Sequence, residues 1–483
     1  MSTNHATTSQ ETTADQDHDR ANPTSINTTV PSVRFCHLPP DILYRIASKL
    51  PPKEFARTSV LSTEWRRCTS LACPRLTFDA VEMFKCEREF MQEIWYRHVV
   101  WQFVREVNNI LWKHKDKVVE TLQVRINLED SILARHIDTW VHFAATSRTK
   151  NLTLDLASGR FWEYKNLYEF PFQLLGRESI SNLQHMHLSY VSFYPPSWFK
   201  GFPNLRKLHL EAARFVRKNL EHMLSHCHTL EWLHINRCHL DELTVDSPLS
   251  RLLYLRVERC SFSKIKFNAA NLATFEYVGS LIPIDLVHSF KLQSANIEFE
   301  EAIIQHALTS LLHGLPSVQN LTSKFGLPHL EKQWLWDNPL KFSNLRHLQL
   351  LLLFIYSENI DKILYLVSFI RATPFIEKLE VHFNRSDLWL AEVGPCRKDL
   401  GQCEYNYLKD IWITGFKAAR GQVEFLSHVV ENAPVLEVVS VKIGKYPRES
   451  LSGSGPTIEA AKEIARTCLR TKLSQNVTFN VEE

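Results

Sequence analysis

The sequence predicts an α/β chain in which a small three-helix module precedes a long, irregular solenoid of short strands and return segments. Three observations carry this. An apolar triplet with fixed internal spacing recurs along most of the chain. Residues 38–67 place apolar side chains at helical spacing and interrupt them with a double proline. At 483 residues the chain exceeds what one globular core organises, so an extended array with an added module fits better.

Residues 1–33 are rich in Ser, Thr, Asn and Gln and nearly lack large apolar groups. Such a segment buries too little surface to offset its chain entropy and is expected to be a disordered tail. Within residues 38–67, Asp41 is a plausible N-cap, and Ile42, Leu43, Ile46 and Leu50 follow at helical spacing. Pro51 and Pro52 end that helix, because proline has no N–H to donate and restricts the residue before it. A second helix fits 53–61 with Phe55, Ala56, Val60 and Leu61 inward, and Ser62 caps a third that carries Glu64, Trp65 and Arg66.

Residues 90–115 read as a long helix with Val100, Val104, Val107 and Leu111 in one stripe, widened by Trp101 and Phe103. Residues 130–145 read as another, with Leu133, Ile137, Trp140 and Ala144 on one face. Beyond them the triplet dominates: an apolar residue, two variable residues, a second apolar residue, one variable residue, a third. It runs from Leu183/Met186/Leu188 through Leu205/Leu208/Leu210 and Leu230/Leu233/Ile235 to Leu436/Val439/Val441, in ten copies. Val318/Leu321 is a weaker copy, and Val119/Leu122/Val124 and Thr149/Leu152/Leu154 are looser. Each copy is a strand with alternate residues inward plus a return, and stacked copies share one core. Uneven spacing implies helical returns of varying length and insertions at 333–341 and 386–404. Residues 458–472 form a final amphipathic helix that would cap the open end.

Composition narrows the function. Lys and Arg nearly balance Asp and Glu, for a net charge of +3, and no basic block stands out, so nothing calls for nucleic acid. The longest apolar run, 350–356, is too short to span a bilayer, and the acidic N-terminal segment does not read as a targeting peptide. Ten cysteines without a CxxC pair read as reduced thiols in a cytoplasmic or nuclear protein. His222, His226 and His228 near Cys227 have metal-capable spacing but no supporting motif, and surface or packed histidines are the better reading. Cys396 and Cys403 flank a polar loop and are read as free. Trp95, Tyr96, Trp101 and Trp112, beside Arg97 and Lys113, could stack on bases but are expected as core. No nucleophile elbow or catalytic signature is present, so no catalytic residue, metal or cofactor is expected.

The string LPPDILYRIASKLPPKEFARTSVLSTEWRR resembles the F-box of the large plant family of F-box/leucine-rich-repeat proteins. The segments WQFVREVNNILWKH, DTWVHFAATSRTKNLTLDL and LVSFIRATPFIEKLEVHF resemble that family's linker and repeats. The resemblance covers most of residues 35–475. It implies an F-box at 34–80, a helical linker and first repeats at 81–145, a leucine-rich-repeat solenoid at 146–445, and a capping helix and tail at 446–483.

It further implies a Skp-type adaptor bound by the F-box, a cullin reached through it, and an unknown protein substrate on the repeats. The chain would then be a substrate adaptor of a ubiquitin ligase. Carried over, Leu38 and Pro39 match the entry to the adaptor groove. Ile42, Leu43, Ile46, Leu50 and Pro51 match the first helix and its stop, and Val60, Leu61 and Trp65 match later anchors. Leu38 and Pro39, at the module's edge, are read as interface; Ile46, Val60 and Leu61 serve core and interface alike. Pro40 stands where an acid is common and Thr63-Glu64 where a basic pair is, and neither removes an apolar anchor. The alternative is a leucine-rich-repeat scaffold or small-molecule receptor without a ligase role.

Overall fold

The computed structural model describes residues 39, 42, 46, 74–84, 93–127, 132–156, 167–215, 217–329, 340–353, 363–384, 400, 403–444 and 458–482. The N-terminal tail, most of the F-box, the insertion at 386–399 and nearly all of that at 333–341 lie outside these residues.

Fifteen strands form one parallel sheet in which spatial order equals chain order. They are β1 (Arg75–Asp79), β2 (Thr121–Arg125), β3 (Asn151–Asp155), β4 (His185–Ser189), β5 (Lys207–Glu211), β6 (Trp232–Asn236), β7 (Tyr254–Glu258) and β8 (Thr274–Gly279). They continue as β9 (Ser294–Ile303), β10 (Asn320–His329), β11 (His347–Leu352), β12 (Lys378–Phe383), β13 (Asp410–Phe416), β14 (Val438–Ile443) and β15 (Thr478–Glu482). Parallel neighbours joined in chain order require crossover connections between successive strands. This is the leucine-rich-repeat solenoid that the triplet implies.

Register makes the triplet a core. Leu152, Met186, Leu208, Leu233, Leu255 and Phe275 sit opposite one another on successive strands, all buried. Leu154, Leu188, Leu210, Ile235, Val257 and Tyr277 form the next row. The weaker copy at Val318/Leu321 is weaker because Ser323 takes the third inward position, fully buried in β10. Turns repeat as faithfully. The Lys150 carbonyl accepts from the N–H groups of Gln184 and His185, Gln184 does so for Arg206 and Lys207, and Arg206 for Glu231 and Trp232. The chain leaves β4, β5, β6 and β7 through Tyr190, Ala212, Arg237 and Arg259, all with positive φ.

From Arg75 onward the described residues hold α1 (Ala80–Phe84), α2 (Glu93–Lys113), α3 (Ile132–Thr146), α4 (Arg177–Asn182), α5 (Arg217–Ser225), α6 (Ile304–Gly314), α7 (Leu366–Arg371), α8 (Arg420–Glu431) and α9 (Ile458–Arg470). The long helices α2 and α3 occupy the two stretches whose periodicity predicted them. Trp140 of α3 is fully buried against Phe103 of α2, and its indole N–H donates to Asn108 Oδ1 at 2.8 Å. Asn108→Ala leaves that N–H without its acceptor, so a loss of about 1–3 kcal/mol is expected, read as a lower denaturant midpoint. An unchanged midpoint would show that another acceptor takes over.

Several expectations need correction. The sheet starts at Arg75, inside the stretch assigned to the F-box, and ends with β15 in the supposed tail. Returns between β6 and β9 hold no helix: Leu243–Val245, Ile265–Phe267 and Ile284–Asp285 pair as a small second sheet instead. Trp101 and Trp112 are not core, being 47% and 77% exposed, because α2 turns the stripe of Val100, Phe103, Val104, Val107 and Leu111 inward and these two away from it. Cysteines 227, 238, 260, 403 and 468 are free thiols. Where regular repeats place an asparagine, Cys260 Sγ accepts from the Cys238 N–H at 3.3 Å, and Cys238 Sγ lies 3.3 Å from the Asn236 carbonyl. Among the described residues no helix is long and apolar enough to cross a membrane.

Candidate functional site

Two regions were expected to carry function: the F-box edge, and the repeats through their open strand face or their loops. Of the expected adaptor contacts, the structure describes Pro39, Ile42 and Ile46. Pro39 is exposed, Ile42 and Ile46 are helical, and the Ile42 N–H donates to the Pro39 carbonyl at 3.0 Å. Ile42 is half-buried, whereas Ile46, one turn later, is 38% exposed. Leu38, Leu43, Leu50, Pro51, Val60, Leu61 and Trp65 lie outside the described residues.

On the open face, strand alternation turns every second residue outward. In the middle row of β4–β8, His187, His209, His234, Arg256 and Glu276 stand opposite one another. Three imidazoles therefore stack: His187 on His209 at 4.1 Å and His209 on His234 at 4.2 Å between ring centroids. In the row before it, Trp232 and Tyr254 stack at 5.4 Å with planes 3° apart. In the row after it come Ser189, Glu211, Asn236 and Glu258.

The electrostatics follow from this packing. Burial, then the neighbouring His187 and His234, brings His209 down to about 3. Burial likewise lowers His187, and it lowers His234 despite the Glu258 carboxylate at 3.1 Å. These rings are neutral near pH 7. Arg256 pairs with Glu258 and reaches Glu276 at 3.0 Å, so its charge is already engaged. Burial and then Asp155 push Glu211 up, although Asn236 Nδ2 donates to it at 3.1 Å.

A second polar cluster spans β11–β13. Glu380 is buried and accepts from Lys378 Nζ at 2.7 Å, Gln349 Nε2 at 2.9 Å and His347 Nε2 at 3.0 Å. Burial pushes its carboxyl up, but Lys378, then His382 and His347, hold it below the usual range. Trp412 stands beside it, 37% exposed, with His382 edge-on at 5.2 Å.

The open face thus presents aromatic anchors among polar side chains, the composition that protein-binding hot spots favour. A cavity of about 380 Å³ lies on the opposite side, between Leu281–Ile284 and α6, lined mainly by apolar side chains and two histidines.

The histidines singled out by spacing do not converge on a metal position. His226 Nδ1 lies 2.8 Å from the His222 carbonyl and 3.1 Å from Ser225 Oγ, at the end of α5. Sequence spacing missed the open-face histidines because they are neighbours only through the register. The repeat template itself was the available signal: all three occupy its outward position between the second and third apolar residues.

Comparison with known proteins agrees with both halves. Residues 110–477 match the At1g61320/AtMIF1 LRR domain family, and residues 35–75 match the F-box domain. The F-box/FBD/LRR-repeat protein At1g13570 of Arabidopsis thaliana is 24% identical over 436 residues, covering 89% of this chain and 94% of that protein. The F-box/LRR-repeat protein At3g58900 of the same plant is 26% identical over 254 residues, covering 51% of this chain and 73% of that protein. The putative F-box/FBD/LRR-repeat protein At5g22670, also from Arabidopsis thaliana, is 28% identical over 201 residues, about two-fifths of each chain.

Proposed function

Because the chain belongs to the At1g61320/AtMIF1 leucine-rich-repeat family and carries an F-box ahead of its repeats, we propose that it is the substrate-recognition subunit of a Skp–cullin–F-box ubiquitin ligase. The observation that carries the reading is this pairing: an adaptor-binding module at 35–75 leading directly into a sheet that begins at Arg75.

In this reading the F-box grips a Skp-type adaptor through Leu38, Pro39 and the apolar stripe of Ile42, Leu43, Ile46, Leu50 and Pro51, with Val60, Leu61 and Trp65 completing the contact. The exposure of Ile46 supports a partner on that stripe. The repeats hold a protein substrate on the open strand face. The chain supplies no acid, base or nucleophile. It raises the effective concentration of a substrate lysine near the charged conjugating enzyme, which is catalysis by proximity. Trp232 and Tyr254 are the proposed substrate anchors, because stacked aromatics supply large contact area at low entropic cost.

The test is co-purification of the full-length chain with a Skp-type adaptor and cullin. Stable co-elution is expected, and failure of the wild-type chain to retain the adaptor ends the reading. Proteins captured by the full chain and enriched by an F-box deletion would be substrates. Trp232→Ala with Tyr254→Ala is expected to weaken their capture by about thirtyfold while adaptor retention is unchanged. Equal capture by wild type and double variant would move the substrate site elsewhere on the solenoid.

A further inference from the structure

We propose that His187, His209 and Glu211, on β4 and β5, form a binding site for a borderline divalent transition ion of the Zn2+ class. The inference is independent of the ligase reading, since it concerns only the sheet. One ligand atom from each of the three residues lies within 4.8 Å of the other two, and no other described group of histidine, cysteine and acidic side chains gathers in this way.

Orphaned polar atoms point to a ligand. Nε2 of His187 and Nε2 of His209 are buried and have no hydrogen-bond partner among the described residues. The same holds for Ser189 Oγ, which belongs to the outward set of β4 and faces Glu211 across the register. Buried polar atoms are nearly always satisfied, and each such orphan costs about 1–3 kcal/mol. Two adjacent imidazole nitrogens and a hydroxyl, all orphaned beside a carboxylate, are what a cation site looks like before its cation. Apolar packing cannot relieve them, whereas a metal takes up both nitrogen lone pairs at once.

The donor chemistry selects the ion. Two imidazoles and one carboxylate are a nitrogen–oxygen set suited to Zn2+ and unsuited to Mg2+, which prefers oxygen ligands and retains its waters. Of the nearby arginines, Arg256 pairs with Glu258 and Glu276 and Arg125 with Asp79 and Asp155, while Arg237 acts on Glu211 and favours its carboxylate form. Tetrahedral coordination needs ligand atoms roughly 3.4 Å apart, so from within 4.8 Å the side chains close by at most about 1.4 Å as the stacked rings splay. Three protein ligands leave a fourth position for a water or for a donor from a docked protein.

The experiment titrates chelator-treated full-length protein with Zn2+ against a chromogenic chelator, with Co2+ as a spectroscopic probe. One equivalent should bind, Co2+ should show the intense visible bands of a tetrahedral site, and excess Mg2+ should not compete. His187→Ala and His209→Phe, the latter keeping an aromatic ring in the stack, should each weaken binding by at least about tenfold. If His209→Phe fails to fold, Glu211→Gln on the open face gives the same readout. His222→Ala with His226→Ala should change nothing. Absence of a bound equivalent in the wild type overturns the proposal. So does a site that survives the open-face variants and disappears in the His222/His226 variant.

Discussion

Leu38→Ala with Pro39→Ala is expected to abolish retention of a Skp-type adaptor by the full-length chain, with the melting profile of the repeats unchanged. The argument rests on position. Both residues precede the first F-box helix, and Pro39 is exposed with its carbonyl engaged by the Ile42 N–H. Side chains at a module's edge contribute little to its own core and much to a partner's groove. If both side chains enter the adaptor's groove, truncating these two apolar anchors removes about 4 kcal/mol, a loss of roughly a thousandfold in affinity. Leu43→Ala and Leu50→Ala should behave differently, lowering both adaptor binding and module stability, because the sequence spacing assigns them to an apolar stripe that serves core and contact alike. Adaptor binding by the Leu38/Pro39 variant at the wild-type level would show that the groove is filled by other residues.

Gly415→Ala is expected to destabilise the C-terminal repeats by roughly 3 kcal/mol or more, read as an early transition in denaturant melts. Gly415 sits at the register shift between β13 and β14 with φ of +72°, a conformation that L side chains rarely adopt. A Cβ there would lie 1.9 Å from the Phe383 carbonyl oxygen on β12, which is backbone and cannot swing away. The same bulge anchors α8. Gln422, buried, donates to the Gly415 carbonyl at 3.1 Å and accepts from the Lys417 N–H at 2.8 Å. Distorting it therefore disturbs β12, β14 and α8 together, and in a stacked array such damage passes to the next neighbours. A variant that melts as wild type would mean the turn can re-form with Gly415 replaced.

How far the sequence could be read varied along the chain for physical reasons. Inward positions were legible because each must be apolar whatever its neighbours are, so Leu208, Leu233 and Leu255 announce themselves one at a time. The loosest copies, at Val119/Leu122/Val124 and Thr149/Leu152/Leu154, form strands as regular as the rest because flanking strands hold them in register. β15 escaped notice as an edge strand: it exposes Thr478, Asn480 and Glu482 and buries nothing fully, so its alternation is faint. Short strands replaced the expected helical returns between β6 and β9, where repeats are too short to cross back through a helix.

The sequence by itself determined the two-part plan of this protein, a helical F-box followed by a stacked apolar repeat, because both depend on local spacing and on what a buried face will accept. Only the tertiary structure decided which outward residues meet. His187, His209 and His234 are separated by unequal lengths of chain, and nothing local marks them as partners. Parallel register sets them side by side, stacks their rings and buries two nitrogens without partners. Register is a property of the whole sheet, fixed by the inward rows, and the outward rows inherit it.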